Sequence, residues 1–377
     1  MAVLVPAQLT DGVPLIDHHC HGVVAHDLDR AGFEAHLGEG PRGTFESPIG
    51  LAVRRWCAPV LDLPAHARPD EYLTRRADLG WREAATRLLR AAGVSQWFID
   101  TGFGSSTADF EEVAEGEIHE IVRLEQVAER TVTELGASTT PEEIESALRD
   151  RIRNAVGLKT IAAYRCGLDF PIAPAAPPAL PRARWTDPAA LGWLVDLGAR
   201  LGAEFGLPLQ FHTGLGDRDL NLRQANPLLL NDFLHHTADT GLTVTLLHCW
   251  PYHRHAGYLA HVFDHVRLDT GLAIPLTGNR SHAVLAETLE LAPFRSLLYS
   301  SDGYALPELH YLGAILWRRA LARLIDEWIA DDAITPADAE TLIRNLAHDN
   351  AIRTYPRARR QSRDCAQQGH SLSSDRG

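Results

Sequence analysis

Six side chains in this sequence have the chemistry of a metal centre. Each follows a short apolar run: they are His19, His21, Lys159, His212, His248 and Asp302. Imidazole nitrogens and carboxylate oxygens suit zinc and related divalent ions. No two of the five cysteines are closely spaced, which argues against a closed structural zinc site. The pattern predicts a hydrolytic centre with one or two divalent ions, zinc being favoured and manganese or iron being alternatives.

The first two of these histidines lie in the segment PLIDHHCHG. Alternate side chains of a strand share a face, so His19 and His21 can bind one ion together. His18 then points to the opposite face and is predicted to be structural. A histidine-rich turn taken alone can also bind nothing, but the other strand ends favour the metal site.

Three further side chains follow apolar runs, His212 in LPLQFHTG, His248 in LTVTLLHCW and Asp302 in SLLYSSDG. Barrel enzymes place ligands at such strand ends, although a buried histidine can instead be satisfied by a backbone carbonyl. A carboxylate at Asp302 can bind the ion and accept a proton from its water ligand, which predicts a general base. The alternative is an aspartate that only caps the turn before Gly303.

Lys159, in VGLKTIAAYR, has two interpretations. A lysine carbamylated by carbon dioxide presents a carboxylate that can bridge two ions, whereas an ammonium would pair with an acid or bind a substrate carboxylate. Arg165 is predicted to bind an anionic substrate group by a bidentate contact. Other charged residues on the same face are either site residues or ordinary structural charges, namely Arg123, Glu125, Asp217, Asp219 and Arg223.

Short apolar runs that alternate with helical patterns predict the elements that position these residues. The predicted strands are 14–19, 94–101, 118–124, 156–161, 208–212, 243–248, 266–270 and 297–301, the third having a helical alternative. The predicted helices are 81–93, 141–155, 187–206, 226–241, 253–265, 308–330 and 336–356. Eight strands with intervening helices define an α/β fold, the (β/α)8 TIM barrel.

Two regions lie outside the repeat. Residues 27–80 form a predicted helical insertion after strand 1, on the face where barrel loops carry function, with candidate substrate contacts in Arg54, Arg55, Trp56 and His66. The barrel domain is predicted to span residues 1–356. Residues 357–377 are polar and poor in large apolar side chains, which predicts a disordered tail.

The composition of the sequence limits the classes of binding partner that are expected. The net charge of −13 disfavours nucleic acid, which needs a basic surface. Five scattered cysteines, no basic and apolar leader and no apolar run of membrane-spanning length predict a cytoplasmic protein that does not bind membranes. The expected partner is a small-molecule substrate, with self-association into a homo-oligomer left open.

With these motifs in place, the chain resembles the amidohydrolase superfamily, in particular the amidohydrolase-2 branch that also occurs fused to glutamine synthetase domains in fungi and plants. The similarity covers residues 10–356 and is carried by IDHHCHG, GLKTIAAYRCGL, FHTGLGDRDLNLRQANPLLL, HCWPYHRHAGYLA, RLDTGLAIPL, LLYSSDGYALPELHYLGA and LAHDNAIRTYP. The resemblance implies metal ligands at His19, His21, His212 and Asp302. It implies a second-ion ligand or a substrate-polarising group at His248, and a carboxylated lysine at Lys159 where two ions bind.

The leading hypothesis is therefore metal-dependent hydrolysis of a C–N bond. A γ-glutamyl amide is one substrate to test, although this sequence has no synthetase domain to support it directly. A non-oxidative decarboxylase or a sugar-acid isomerase is the alternative on the same kind of barrel, and a catalytically inactive binding module is a third. Metal content separates the third from the others.

Overall fold

A parallel sheet of seven strands in sequential order forms the centre of the fold. The computed structural model describes residues 10–40, 44–103, 107–172, 180–181 and 183–359. The strands are β1 Leu15–Cys20, β2 Val94–Asp100, β3 Glu117–Arg123, β4 Gly157–Thr160, β5 Leu209–Thr213, β6 Val244–His248 and β7 Val266–Leu268. The predicted bounds of these seven strands agree to within one or two residues. The third is a strand rather than the start of a helix.

The predicted eighth strand, 297–301, is not a regular strand, but it occupies the eighth position. Leu297 forms a single parallel bridge with Leu268. Leu298 N donates to Leu268 O at 2.9 Å, and His18 N donates to Tyr299 O at 3.2 Å. The amide of Ser301 donates to the Asp17 carboxylate at 3.1 Å instead of to a backbone carbonyl, so the ladder is interrupted there. The segment still connects β7 to β1 and closes the TIM barrel.

Helices follow the strands and cover the outside of the sheet. They are α1 Arg30–His36, α2 Pro48–Ala52, α3 Ala58–Val60, α4 Pro69–Ala92, α5 Thr107–Glu111, α6 Leu124–Leu135, α7 Pro141–Arg151, α8 Ala162–Arg165, α9 Pro188–Phe205, α10 Asn231–Thr237, α11 His253–Val262, α12 Ala273–Thr277, α13 Ser281–Leu289, α14 Pro307–Ala330, α15 Pro336–Arg344 and α16 Asn350–Thr354. Short 3-10 helices occur at Thr44–Glu46, Thr101–Phe103, Gly136–Ser138, Leu222–Ala225, Pro227–Leu230, Gly278–Arg280 and Phe294–Ser296.

Local sequence explains where several helices begin and end. Thr140 and Thr335 form capping boxes at α7 and α15, and each is followed by a proline that starts the helix. Gly93 and Gly206 end α4 and α9 in the left-handed conformation.

Four helix predictions were too long, of which 141–155 and 253–265 extend four and three residues past the ends of α7 and α11. Only Asn231–Thr237 of the predicted helix 226–241 is α-helical, because Pro227 starts a separate 3-10 turn stabilised by Asn226. The predicted helix 336–356 is interrupted by a π-helical turn at Asn345–Asp349. We call residues 336–359 the closing segment.

The insertion at 27–80 comprises α1 to α3, the π-helical turn Val53–Cys57 and the first part of α4, which bends at Gly80. It packs on α14 through Arg76 and Tyr72, whose side chains both donate to Glu308 Oε1 at 2.8 Å. The buried carboxylate of Glu308 is therefore held between a cation and a hydroxyl, as buried charge requires.

The closing segment packs into the interior of the barrel. A separate apolar cluster contains Ile16, Phe98, Ile121, Val156, Leu298, Ala351, Tyr355 and Ala358. Several of these lie near the amino ends of the strands, so the segment fills the end of the barrel opposite the strand termini that carry the histidines. Arg357 donates to the carbonyls of Ile152 and Ala155. The remainder of the predicted tail, 360–377, lies outside the described residues, and no helix among the described residues is long and apolar enough to cross a membrane.

Candidate metal centre

The carboxyl ends of the strands bring the predicted metal ligands together. His19 belongs to β1 and His21 directly follows it, while Lys159 belongs to β4, His212 to β5 and His248 to β6. Asp302 follows the eighth segment and lies among the histidines. All but His19 line one cavity of about 600 Å³, and His19 lies beneath its floor with no exposed surface. His248 and Asp302 adopt left-handed backbone conformations, with φ of 67° and 48°. Such conformations are uncommon for residues other than glycine, and they cluster at functional sites.

The Asp302 carboxylate is surrounded by three imidazoles. Its Oδ1 is 3.2 Å from His19 Nε2 and 3.5 Å from His21 Nε2, and its Oδ2 is 3.3 Å from His248 Nδ1. Ligands bound about 2.1 Å from a tetrahedral zinc ion lie about 3.4 Å from one another. The spacing of Oδ1 and the two Nε2 atoms therefore fits one divalent ion, and His248 Nδ1, beside the other oxygen, suits a second ion or the substrate.

Hydrogen bonds to the far side of two rings orient their Nε2 atoms toward the cluster. Nδ1 of His21 donates to the backbone oxygen of Asp100 at 2.9 Å, and Nδ1 of His19 lies 2.9 Å from Gln210 Oε1. A neutral imidazole with a proton on Nδ1 keeps a lone pair on Nε2, which is the atom that would bind a metal.

Several buried polar atoms in the cluster lack a hydrogen-bond partner among the described residues. They are His212 Nε2, both ring nitrogens of His248 and Asp302 Oδ1. The approach of His248 Nδ1 to Asp302 is close but is not aligned as a hydrogen bond. Buried polar atoms without partners are costly, and a bound cation would satisfy His212 Nε2, Asp302 Oδ1 or one of the two His248 nitrogens. His19, His248 and Asp302 form one trio of donors within 4.8 Å of one another.

The protonation states also suit metal binding, which requires neutral imidazoles and an ionised carboxylate. Burial, and next the positive charge of Lys159, lower the pKa of His19 to about 3. Burial likewise lowers the pKa of His212 and His248. Burial alone would raise the pKa of Asp302, but the nearby His248 and His19 outweigh it and hold that pKa well below its usual range.

Lys159 contacts both the cluster and an acid that the sequence analysis did not single out. Its Nζ is 2.9 Å from His19 Nε2 and 3.5 Å from Asp100 Oδ2. Burial lowers the pKa of this amine, against the opposing effect of Asp100. Lys159 is also the only lysine in the sequence. Arginine cannot form a carbamate, so Lys159 is the one side chain that could be carbamylated. Both interpretations of Lys159, the carbamate and the ammonium, stay open.

Asp100 is the last residue of β2. It could have been predicted as a site residue in the same way as the others, because it is a polar side chain at the carboxyl end of an apolar strand. The Arg123 guanidinium binds its Oδ2, with Nη2 at 2.6 Å and Nε at 3.1 Å. A side chain at Gly102 would collide with this guanidinium, so the glycine makes room for the pair. Asp100 also belongs to a possible donor trio with His19 and His21. Because the Arg123 guanidinium already neutralises the Asp100 carboxylate, we assign Asp100 to the surroundings of the metal centre and not to its ligands.

The prediction for Lys159 can be tested without ambiguity because no other side chain carries a primary amine. If the carbamate forms, protein equilibrated with ¹³C-bicarbonate and zinc should give one side-chain carbamate resonance, which Lys159→Arg should abolish while halving the zinc content. One zinc per chain and no such resonance in the wild-type protein would favour the ammonium and a single ion. Arg165→Lys is the matched control: it adds a lysine at the cavity and should leave the first resonance in place.

The predicted substrate contact Arg165 lines the cavity, but its guanidinium is paired with Glu129 of α6, at 2.8 and 3.3 Å. Its role in substrate binding stays a prediction. Arg184 and Arg218 also line the cavity, and neither forms an ion pair with another described residue. Of the other predicted charges, Glu125 is buried and accepts hydrogen bonds from Thr160 Oγ1 and Ile161 N, a structural role.

The insertion reaches the cavity through a different part than predicted. Residues Ala35, Gly38, Glu39 and Gly40 line it, whereas Arg54, Arg55, Trp56 and His66 do not. Arg54 donates to the carbonyls of His66 and Ala67, and the Trp56 ring lies against Arg55 and Arg319. Burial, with Asp302 and Asp217 nearby, raises the pKa of Glu39 to about 7.

This barrel, with a donor cluster that fits a divalent ion at the carboxyl ends of its strands, has the fold of the metal-dependent hydrolases. The chain belongs to the amidohydrolase family, whose model matches residues 16–357. Protein fluG of Emericella nidulans is 31% identical over 223 residues, which are 53% of this chain and 25% of that protein. The chain thus spans about a quarter of this curated relative.

Two solved structures resemble the whole barrel. A protein of Lactobacillus casei ATCC 334, provisionally described as a metal-dependent hydrolase, is 26% identical, with a TM-score of 0.82 over 94% of this chain and 98% of that one. Uronate isomerase from Thermotoga maritima is 13% identical, with a TM-score of 0.61 over 93% and 96% of the two chains. At that identity the second likeness shows the fold alone.

Proposed function

We propose that the protein is a metal-dependent amidohydrolase that cleaves a C–N bond of the amide type in a small molecule. The observation that carries the proposal is the Asp302 carboxylate, held 3.2–3.5 Å from three imidazoles at the floor of the cavity. A carboxylate in this position can contact both the metal and the attacking water. The family, with the fold of metal-dependent hydrolases, supports the same reaction class.

The roles proposed for the residues are supported by this placement and, for His212, by its position in the lining of the same cavity. A divalent ion bound by His19, His21, His212 and Asp302 would supply a Lewis acid and lower the pKa of a water ligand. Asp302 accepts a proton from the attacking water as its oxygen forms a bond to the carbonyl carbon. Asp302 then delivers that proton to the leaving nitrogen as the C–N bond breaks, giving a carboxylic acid and an amine. His248, on the opposite side of the carboxylate, polarises the carbonyl oxygen or binds a second ion.

A second candidate is an isomerase or decarboxylase that acts on a sugar acid or another carboxylate. The observation that favours it is the pair Arg184 and Arg218, two exposed guanidiniums on the cavity wall that lack an ion-pair partner among the described residues. Guanidinium groups bind carboxylates with good geometry. The same pair would also suit the carboxylate of an amino-acid amide. Only a measurement of the reaction therefore distinguishes the two candidate functions.

Zinc-loaded protein should hydrolyse at least one class of amide, and γ-glutamyl and other amino-acid amides are the first to screen. A chelator should remove the ion and the activity together, and added zinc should restore both, because the donor cluster is buried and pre-formed. Amine release and metal content are measured on the same samples. Isomerisation or decarboxylation of sugar acids, with every amide left intact, would contradict the proposal and favour the second candidate.

A further inference from the structure

A buried hydrogen-bonded network connects the centre to the closing segment. Its origin is Tyr355, which directly follows α16 and has no exposed surface. The Tyr355 ring packs edge-on against Phe98, with the ring centroids 4.9 Å apart. Its hydroxyl lies 2.8 Å from Gln210 Nε2 and 2.9 Å from His18 Nδ1. Tyr355 therefore contacts polar groups of both β1 and β5 from the far end of the barrel.

One branch of the network determines the tautomer of His19. Gln210 Nε2 donates to the His18 carbonyl at 2.9 Å as well as to the Tyr355 hydroxyl. A carbonyl only accepts, so the amide nitrogen must face it and Oε1 must face His19. At 2.9 Å from Oε1, His19 Nδ1 then carries a proton. The Nε2 lone pair of His19 is thereby directed toward Asp302.

The other branch reaches the backbone of His248. When the Tyr355 hydroxyl accepts from Gln210, its own hydrogen can go to His18 Nδ1, and His18 Nε2 donates to Asp269 Oδ2 at 2.8 Å. Oδ1 of Asp269 accepts from the backbone N–H of His248 at 2.7 Å. Asp269 thus holds His248 in its left-handed conformation. The sequence prediction that His18 is structural agrees with these contacts.

The network lies where barrels are usually filled by apolar layers. His18, His19, Gln210, Asp269 and Tyr355 have no exposed surface, and burying so many polar groups is costly unless each has its partner. We propose that Tyr355 is a positioning residue of the metal centre, which orients the ligand His19 through Gln210 and the backbone of His248 through His18 and Asp269. The inference rests on the metal centre of the proposed function and not on the reaction.

The test is the affinity of the full-length protein for zinc, measured by competition with a chromogenic chelator. Tyr355→Phe keeps the ring and its packing on Phe98 but removes the hydroxyl. Loss of a group that hydrogen-bonds a ligand directly weakens metal binding about 10–100-fold in other proteins, and because Tyr355 acts on His19 through Gln210 we expect a loss of about 10-fold, the lower end of that range. The visible spectrum of the cobalt-substituted protein should also change, because the geometry of His19 at the ion is altered. Tyr258→Phe, on the exposed face of α11, is the matched control and should change neither.

Gln210→Asn provides a second variant in case Tyr355→Phe does not fold. It leaves Tyr355 and its packing in place but shortens the amide, so it should weaken zinc binding by a similar factor. A folded variant of either kind with wild-type zinc affinity and an unchanged cobalt spectrum would overturn the inference, while the proposed function would stand. A wild-type protein that binds no divalent ion would overturn both.

Discussion

Asp302→Asn is expected to lower kcat by about 10³–10⁴-fold while leaving the fold intact. The asparagine amide cannot take a proton from water, and it lacks the negative charge that three imidazoles surround at 3.2–3.5 Å. Asparagine tolerates the left-handed backbone conformation of this position, with φ of 48°, so strain should not confuse the result. The measurement is steady-state turnover of the best amide from the screen, at saturating zinc.

Asp332→Asn is the matched control. It makes the same chemical change at another left-handed residue, with φ of 56°, in an exposed turn after α14. Its turnover should equal that of the wild-type protein. If Asp302→Asn also keeps near-normal turnover with bound zinc, Asp302 is a turn residue and the base lies elsewhere.

His19→Ala is expected to lose zinc altogether at concentrations that saturate the wild-type protein, and its activity with it. His19 Nε2 contacts Asp302 and Lys159, so its removal leaves the centre without its central donor. The affinity should fall by more than the 10–100-fold typical of outer contacts. Zinc content by mass spectrometry and the Tm with and without zinc are the measurements, since an ion that binds only the folded state raises Tm.

In the wild-type protein zinc should raise Tm, and in His19→Ala it should not. The variant should remain folded without metal, although the loss of a buried partner for Gln210 costs about 1–3 kcal/mol. His261→Ala, on the exposed surface of α11, should bind zinc as the wild-type protein does. Unchanged zinc stoichiometry in His19→Ala would refute the assignment of the ligands.

The sequence was sufficient for seven of the eight predicted strands and for most of the polar residues at their ends. Buried parallel strands are short apolar runs, and their carboxyl ends meet on one face, so the sequence alone predicts that His19, His21, His212 and His248 lie together. The same reasoning applies to Asp100, which ends an equally apolar strand. Asp100 was not predicted because a single aspartate before Thr101 and Gly102 is also typical of an ordinary turn.

Contacts between distant segments could not be predicted in this way. Arg165 pairs with Glu129, and Arg123 with Asp100, across elements whose relative positions the sequence pattern does not specify. The cavity-lining part of the insertion contains glycines around Glu39 and has no periodicity that would indicate its position. The eighth segment deviates from a strand because Asp17 binds the Ser301 amide, a contact between residues 284 positions apart.

That last contact has a consequence for how the chain reaches its native state. The first strand of the barrel is bound on one side by a segment that the ribosome makes 284 residues later, and the Tyr355 hydroxyl that meets His18 comes 337 residues later. Loops of this length are slow to close, and large barrels often pass through partly folded intermediates. Chains still being translated can therefore build β1 to β7 but hold β1 as an exposed edge. We expect the nascent protein to depend on chaperones until the segment after residue 297 emerges.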